Sequence, residues 1–497
     1  MPIDRRELAA CLAVLARLDD ADVEGATRLE LERAVTAAAR DIKRRAKARR
    51  TAETRTADRA VLAAATRFHT EIPPTVPDPA PAVPDPTAAV AGLAAAVAGP
   101  TPTVPGPTPA VAGLAAAVPG PTPTVAGLAA AVTGRDPAAP IGTLRRDRLC
   151  YVCKTAYRQV DADYHMLCAR CAEENRARRH ARCDLSGRTA IVTGGRVKIG
   201  FHIALKLLRD GAEVVVTTRF PRDAARRFAG VPDFDTWAHR LSVQGLDLLD
   251  PRATLDFVAL AGRRFDGLDI LVNNAAQTLY RPAAYHREVR EAETAALTGP
   301  AARVAISAGG PPVPATVGDP LFPAGQRDET GHQLDLRAVN SWVLHDGDVS
   351  PHEWLQVHVV NAFAPFLLTS RLRPLMAASR HPQRHVVQVS AMEGSFSRRG
   401  KTVRHPHTNM AKASLNMLVR TVAADYLTEG IHMNSVDTGW VTDERPHPGK
   451  TAQREVGFRP PLDVVDGAAR VYDPIVRGLR GEPVSGQFLK DYRSVPW

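Results

Sequence analysis

The chain is predicted to be an α/β protein built on a doubly wound parallel sheet. A small four-cysteine zinc module, a Pro/Ala-rich linker and an N-terminal helical segment are expected to precede it. Three observations carry this. Short β-branched runs alternate with helical stretches from Thr189 almost to the last residue, and buried parallel strands read as such continuous apolar runs. Four cysteines stand in two Cys-x-x-Cys pairs between Cys150 and Cys171. Composition shifts twice and the cysteine cluster ends near 183, giving segments at 1–70, 71–143, 144–183 and 184–497.

The overall numbers bound the function. With 497 residues, 44% of them apolar, the chain can bury at least one large core. Six cysteines in that length exclude a disulfide scaffold. No apolar run reaches the roughly 18 residues that a membrane-spanning helix needs, so no membrane association and a cytoplasmic location are expected. Lys and Arg total 64 against 53 Asp and Glu, a net charge of +11. That balance admits nucleic acid or an acidic surface as partner without requiring either, because anionic cofactors also select basic sites.

Residues 1–70 are rich in Ala, Leu, Arg and Glu. Leu8, Leu12 and Leu15, then Leu29, Leu31 and Val35, predict helices with one buried face. The stretch 8–18 carries Arg17 and reads as an amphipathic helix rather than a signal peptide. Between Arg40 and Arg55 eight basic residues face two acidic ones, and a solvated helix face explains this better than a polyanion site. From 71 to 143, Pro-rich dipeptides alternate with three copies of Val-Ala-Gly-Leu-Ala-Ala-Ala-Val, starting at Val90, Val111 and Val125. Nearly uncharged and full of Pro and Gly, this segment is expected to be a disordered, partly polyproline-II linker.

Cys150 and Cys153 form one pair and Cys168 and Cys171 the other, with fourteen residues between them. Two such knuckles complete a tetrahedral shell of four sulfurs for zinc, and four thiolates leave no open position, so the metal is expected to be structural. Arginines flank the cluster on both sides. They leave open a protein partner for the N-terminal and zinc segments, or nucleic acid, which the rest of the chain does not favour.

The strand 190–193 runs into Thr193-Gly194-Gly195-Arg196-Val197-Lys198-Ile199-Gly200, and a helix follows at 201–209. A strand, a Gly-bearing turn and a helix N-terminus present backbone N–H groups to a pyrophosphate. The next strand, 214–218, ends at Arg219. An acidic residue there would bind a ribose 2′-hydroxyl, whereas arginine suits the 2′-phosphate of NADP.

These residues resemble the Thr-Gly-x-x-x-Gly-x-Gly turn of the short-chain dehydrogenase/reductase family, with Lys198 in place of its middle Gly. The resemblance continues in order over 184–497 and implies a Rossmann-type fold. It makes Asp247 the adenine contact, and Asn273-Asn274-Ala275 the motif that supports the sheet and lines the adenosine ribose. It makes Asn361 and Ser390 catalytic. Lys412 becomes the residue that holds the nicotinamide ribose, and Gly439 with Thr442 part of the segment that holds the nicotinamide. Residues 486–489 resemble the closing strand.

The pattern breaks at the family's Tyr-x-x-x-Lys, because four residues before Lys412 stands Thr408. An aliphatic hydroxyl is too weak an acid to replace a phenol near neutral pH, whereas imidazole titrates there. His407, with His405 behind it, is therefore the candidate acid. Three function classes follow. The first is an NADP(H)-dependent oxidoreductase acting on a small-molecule carbonyl or alcohol with a non-standard acid. The second is an inactive NADP(H)-binding pseudoenzyme serving as sensor or scaffold, and the third a zinc-dependent nucleic-acid binder. An insertion at about 281–350, Gly/Pro/Ala-rich over 297–330, is expected to form either a lid over the cleft or a surface loop with a disordered middle. The resemblance also implies a homo-oligomer through the helices of Trp354 and Lys412.

Overall fold

The computed structural model describes residues 4–17, 24–65, 139–307, 319–328 and 330–497. Most of the expected linker and the middle of the insertion lie outside the described residues.

Two N-terminal helices form, α1 (Arg5–Ala16) and α2 (Gly25–Ala63). Asp4 starts α1 with a capping box, accepting from the Arg6 and Glu7 amides while Glu7 reaches back to the Asp4 amide. The expected buried face is not found. Neither helix contains a buried residue, and Leu8, Leu12, Leu29 and Val35 stay exposed. Only the end of α2 docks. Val61 and Leu62 pack on the cysteine-bearing unit, and the Asp58 carboxylate accepts the Arg145 N–H at 2.6 Å.

That unit is a hairpin, β1 (Gly142–Leu149) with β2 (Ala156–Val160), followed by α3 (Ala169–Arg179). Its core joins Leu144, Tyr157, Val160, Tyr164 and Leu167 to Leu462 from far along the chain.

The main sheet has nine strands: β3 (Thr189–Thr193), β4 (Glu213–Thr218), β5 (Leu241–Gly245), β6 (Ile270–Asn273), β7 (Ala305–Ser307), β8 (Arg384–Ser390), β9 (Ile431–Asp437), β10 (Phe488–Lys490) and β11 (Arg493–Val495). Their order is β11-β10-β9-β8-β6-β3-β4-β5-β7, parallel throughout except for β11. Helices α4 (Lys198–Arg209), α5 (Pro221–Ala229), α6 (Pro251–Arg264), α7 (Arg287–Thr294), α8 (Pro351–His358), α9 (Ala364–Ala377), α10 (Pro406–Thr428), α11 (His447–Glu455) and α12 (Val464–Leu479) complete the domain.

Strand alternation builds both core layers. Val192, Val214, Val216 and Val389 face Phe201, Leu207, Phe228 and Ile475 on one side. Ile191, Val215, Leu271 and Val386 face Phe257, Leu372, Val419 and Tyr426 on the other. β3 pairs with β4 on one edge and β6 on the other, so the direction of winding reverses there. A crevice opens at the carboxyl ends of strands at such a switch point.

The insertion leans over that crevice. Its β7 extends the sheet beside β5. The Glu293 carboxylate, at the end of α7, accepts from the Arg222 and Asp223 amides at the N-terminus of α5, at 3.0 and 2.6 Å, where a helix favours negative charge. Further along, Asn340 Nδ2 donates to the Glu444 carbonyl at 3.1 Å, and the His405 amide donates to the Leu344 carbonyl at 2.8 Å.

The opposite end of the sheet carries an acid-sensitive pair. His385 is buried with neither ring nitrogen hydrogen-bonded, and its ring lies 5.6 Å from that of His432. Burial, with His432 and Arg188 adding repulsion, pushes His385 down to about 3, and burial takes His202 to about 4. The unfolded chain takes up these protons near pH 6.5, the folded one only near 3–4. Stability is therefore complete above about pH 6.5 and falls as pH drops toward 4. The urea midpoint should decline over that window, and His385→Phe should flatten the decline. A midpoint that holds constant from pH 7 to pH 5 would contradict it.

Candidate functional site

The turn after β3 is shaped by its glycines. Gly194 has φ +66°, and a Cβ there would lie 2.9 Å from the Ala275 Cα. A Cβ on Gly200 would collide with the Gly194 carbonyl and the Asn274 amide. The Thr193 hydroxyl accepts the Asn274 and Ala275 N–H groups, both at 3.0 Å, while Asn274 Nδ2 donates to the Thr193 carbonyl at 3.0 Å. Asn273 crosses to α9 and donates to Thr369 at 3.0 Å. Thus the turn and the Asn-Asn-Ala segment lock together across the β3–β6 switch, and the N-terminus of α4 faces the crevice. Gly195 packs so closely on Val216 that a Cβ would sit 2.7 Å from its methyl.

Lys198 takes the left-handed conformation, φ +52°, that glycine adopts most cheaply. The turn is therefore kept despite the substitution. Its ammonium lies 3.5 Å from Glu444, whose carboxylate also accepts from Thr442 Oγ1 at 2.7 Å. This joins the glycine turn to the 439–442 segment. Ile199 packs near Gly467 of α12.

Arg219 emerges from β4 beside a group of cations. Its Nη2 lies 3.4 Å from His286 Nε2, and its guanidinium is 5.4 Å from the Phe220 ring. Asp247 attracts it, while Arg196 and Arg290 repel it. Among the described residues it has no carboxylate within 4.0 Å. Arg196 pairs with Asp223 and also lies over Phe220, at 5.2 Å. Burial and the charges of Arg219, Arg196, Arg290 and Arg281 push His286 down to about 2, keeping that imidazole neutral. His286 and Arg290 come from the stretch 281–297, at the start of the insertion expected from sequence.

On the catalytic side, Lys412 is buried in α10 and donates to the Val389 carbonyl at 2.7 Å. Burial brings it down to about 8, with Glu393 opposing. Ser390 turns its hydroxyl onto Asn416, donating to Oδ1 at 2.7 Å. Asn361 sits in a π-helical turn (Val359–Phe363), a distortion frequent at functional sites. Its side chain clamps the Gln277 backbone, accepting the N–H at 2.6 Å and donating to the carbonyl at 3.0 Å.

His407 Nε2 lies 3.2 Å from Glu353 Oε1. Burial disfavours the Glu353 carboxylate, but hydrogen bonds from His407 and Ser341 hold its pKa below the usual range. The other ring nitrogen of His407, Nδ1, and the adjacent Thr408 Oγ1 are both buried without a hydrogen-bond partner. His405 instead stacks on Trp342, at 4.3 Å, and bonds Asn409 at 3.0 Å.

The sulfurs of Cys150, Cys153, Cys168 and Cys171 all lie within 4.8 Å of one another, with Cys153 and Cys168 at 3.6 Å. Zinc at about 2.3 Å from each of four sulfurs sets them about 3.8 Å apart. The donor set and its dimensions therefore fit a tetrahedral ion. Cys150 and Cys171 are buried, and Cys153 is exposed.

Two family models match the chain. Residues 188–297 match the short chain dehydrogenase model, and residues 340–455 match one described as enoyl-(acyl carrier protein) reductase. An uncharacterized protein of Acanthamoeba polyphaga mimivirus is 33% identical over 346 residues, 66% of this chain and 71% of that one. The chain belongs to the short-chain dehydrogenase family. C-signal of Myxococcus xanthus is 31% identical over 153 residues, 30% of this chain and 82% of its own length. Among solved structures, a short chain dehydrogenase from Burkholderia cenocepacia in complex with NADP aligns at 20% identity and TM-score 0.41. It covers 62% of this chain and 97% of its own.

The two family matches stop at 297 and resume at 340. Residues 298–339 lie outside both matches, whereas His286 and Arg290 lie inside the first and Glu353 inside the second. His286, Arg290 and Glu353 were not found from sequence, because nothing in their spacing marks them as neighbours of Arg219 or His407. The only local signal at Glu353 is its helix-start pattern, in which Ser350 Oγ accepts the Glu353 N–H at 3.1 Å. Glu444 was missed for the same reason.

Proposed function

We propose that this short-chain dehydrogenase is an NADP(H)-dependent oxidoreductase of a small carbonyl or alcohol, with His407 managing the proton in place of the missing phenol. One observation carries the reading. Among the described residues, His407 Nδ1 and Thr408 Oγ1 are buried polar atoms without partners on consecutive residues of α10, Thr408 at the position of the family's tyrosine. Leaving such atoms unpaired costs roughly 1–3 kcal/mol each, and a polar group of a bound substrate would relieve that cost. Glu353 fixes the imidazole through its other nitrogen, Nε2.

The glycine turn has no room for side chains, and the α4 N-terminus suits a pyrophosphate. Arg219, Arg196 and Arg290 suit a 2′-phosphate, with Asp247 beside them for the adenine. Lys412 and the 439–442 segment would hold the nicotinamide end. When bound, the nicotinamide supplies or accepts the hydride. The second reading, a nucleotide-binding protein without turnover, draws on Ser390, whose hydroxyl is engaged by Asn416 rather than free for substrate.

The reading extends to the metal and to assembly. Zinc is held by the four cysteines in a structural role. A second copy covers the apolar side chains exposed on α8, α9 and α10, among them Leu355, Phe366, Met410 and Met417.

Cofactor choice tests the nucleotide assignment. NADPH should bind more tightly than NADH by about 1.5–3 kcal/mol, roughly ten- to 150-fold, as a charge-assisted phosphate contact provides. Arg219→Asp should reverse the preference. Fluorescence titration giving equal affinities for the parent would reject the assignment of Arg219.

A further inference from the structure

We propose that Tyr151, on the first cysteine knuckle, is a positioning residue for the dinucleotide site, so that metal held by Cys150, Cys153, Cys168 and Cys171 sets the order of the 439–442 segment and with it the affinity for NADP(H). The affinity part rests on the nucleotide and zinc readings above. The ordering of the segment is tested independently of the nucleotide.

Tyr151 lies between the two cysteines of the first pair, and its own N–H donates to the Met166 carbonyl at 2.8 Å, next to the second pair. Its hydroxyl leaves the knuckle and accepts the Trp440 N–H at 2.9 Å. The same oxygen is 3.6 Å from where a Cβ on Gly439 would stand, and Gly439 has φ +77°. Trp440 passes the constraint along the chain, because its indole Nε1 donates to the Thr442 carbonyl at 3.0 Å. One phenol thus links the cysteine knuckle through two hydrogen bonds to Thr442 and lies against Gly439, the two residues assigned to the nicotinamide end.

A second set of contacts keeps the knuckle pressed on this segment. Asp437, at the end of β9, accepts the Gly439 N–H at 2.7 Å and the Met392 N–H at 2.6 Å. Lys490 lies 3.6 Å from Asp437 and 5.7 Å from the centre of the Tyr151 ring. Val441, from the segment itself, packs on the core of the cysteine-bearing unit.

That core is small. It is a nine-residue cluster in which two members are the metal ligands Cys150 and Cys171. Units of about 40 residues rely on metal, disulfides or association. No disulfide is formed among the described residues. Association through Leu462 and the Arg178–Asp473 and Arg179–Asp463 pairs holds the unit's helix and core, so it is the knuckle itself that the four sulfurs close. Bound metal therefore ties the knuckle to the rest of the unit. Losing it frees Tyr151, and Trp440 loses the acceptor for its N–H.

The test uses the full-length protein and Tyr151→Phe, which removes one oxygen and leaves all four sulfurs. Zinc content is measured by elemental analysis, exchange of the Trp440 amide by hydrogen–deuterium mass spectrometry, and NADPH affinity by fluorescence titration. The variant should keep the parent's zinc content and exchange at β4, yet exchange faster across 439–442. It should bind NADPH roughly three- to tenfold more weakly, the effect of one net hydrogen bond. Chelation of the parent should produce the same faster exchange, and added zinc should reverse it. Unchanged exchange across 439–442 in both the variant and the chelated parent overturns the proposal. So does faster exchange without any loss of NADPH affinity. A parent that binds no NADPH overturns the nucleotide reading and the affinity claim together, while exchange still decides whether Tyr151 orders the segment.

Discussion

His407→Ala should keep NADPH bound and lose roughly 10²–10⁴-fold in kcat, the range attributed to general acid catalysis. The imidazole sits beside the position of the family's tyrosine, and its engaged nitrogen is the one facing Glu353, at 3.2 Å. Under the proposed function Nδ1, unpartnered among the described residues, is the atom that would exchange the proton. Glu353→Gln keeps a hydrogen bond but removes the carboxylate charge beside the imidazole, so it should give a smaller fall in kcat with unchanged nucleotide affinity. Lys412→Ala should instead weaken nucleotide binding and turnover together, because the proposed function has it hold the nicotinamide ribose. Thr408→Tyr restores Tyr-x-x-x-Lys and separates the two functional readings. If it creates reductase activity where the parent has none, the parent is a nucleotide-binding protein. If the parent turns over and His407→Ala matches it, the proton donor is another group and the assignment of His407 fails.

What could be read from the sequence follows from how far each signal reaches along the chain. Parallel strands buried on both faces are written as local runs, so 190–193, 214–218, 270–272 and 386–389 each appear as strands at nearly those bounds. The glycine turn is equally local. The arginine at the end of β4 could be named because a strand end followed by a helix has one geometry. The cysteine knuckles were legible for the same reason, since two short spacings define each half. The N-terminal helices show the opposite case. Their apolar positions were visible, but periodicity reports only that a face exists, not what covers it, and Leu12 and Val35 stay exposed. Contacts across long separations left no trace at all. Glu353 reaches His407 over 54 positions, His286 reaches Arg219 over 67, and Tyr151 meets the Trp440 amide over 289. Each depends on where the fold brings a loop, which no local pattern encodes.

The largest stability loss should come from Arg470→Met. Arg470 lies on α12 with only 2% of its surface exposed. Nη2 donates to Asp491 Oδ1 and to Asn175 Oδ1, each at 2.8 Å, and Nη1 donates to the Asp466 carbonyl at 3.1 Å. Its guanidinium also lies 4.8 Å from the centre of the Tyr492 ring. One side chain therefore joins α12, the β10–β11 turn and, through Asn175, the cysteine-bearing unit. Methionine would fill much of the volume but leave Asp491 buried with only Lys490, 3.8 Å away, as a charge partner. Breaking a buried pair from one side costs about 3–5 kcal/mol. Lysine should rescue little, since a single ammonium cannot present two planar donors to Asp491 and Asn175 at once. Adding Asp491→Asn to Arg470→Met should recover part of the loss, because the unpaired charge is then gone. Equilibrium denaturation of the four proteins closes the cycle. A loss below about 1 kcal/mol for Arg470→Met, or strict additivity with Asp491→Asn, would show that the guanidinium is not what joins these three elements.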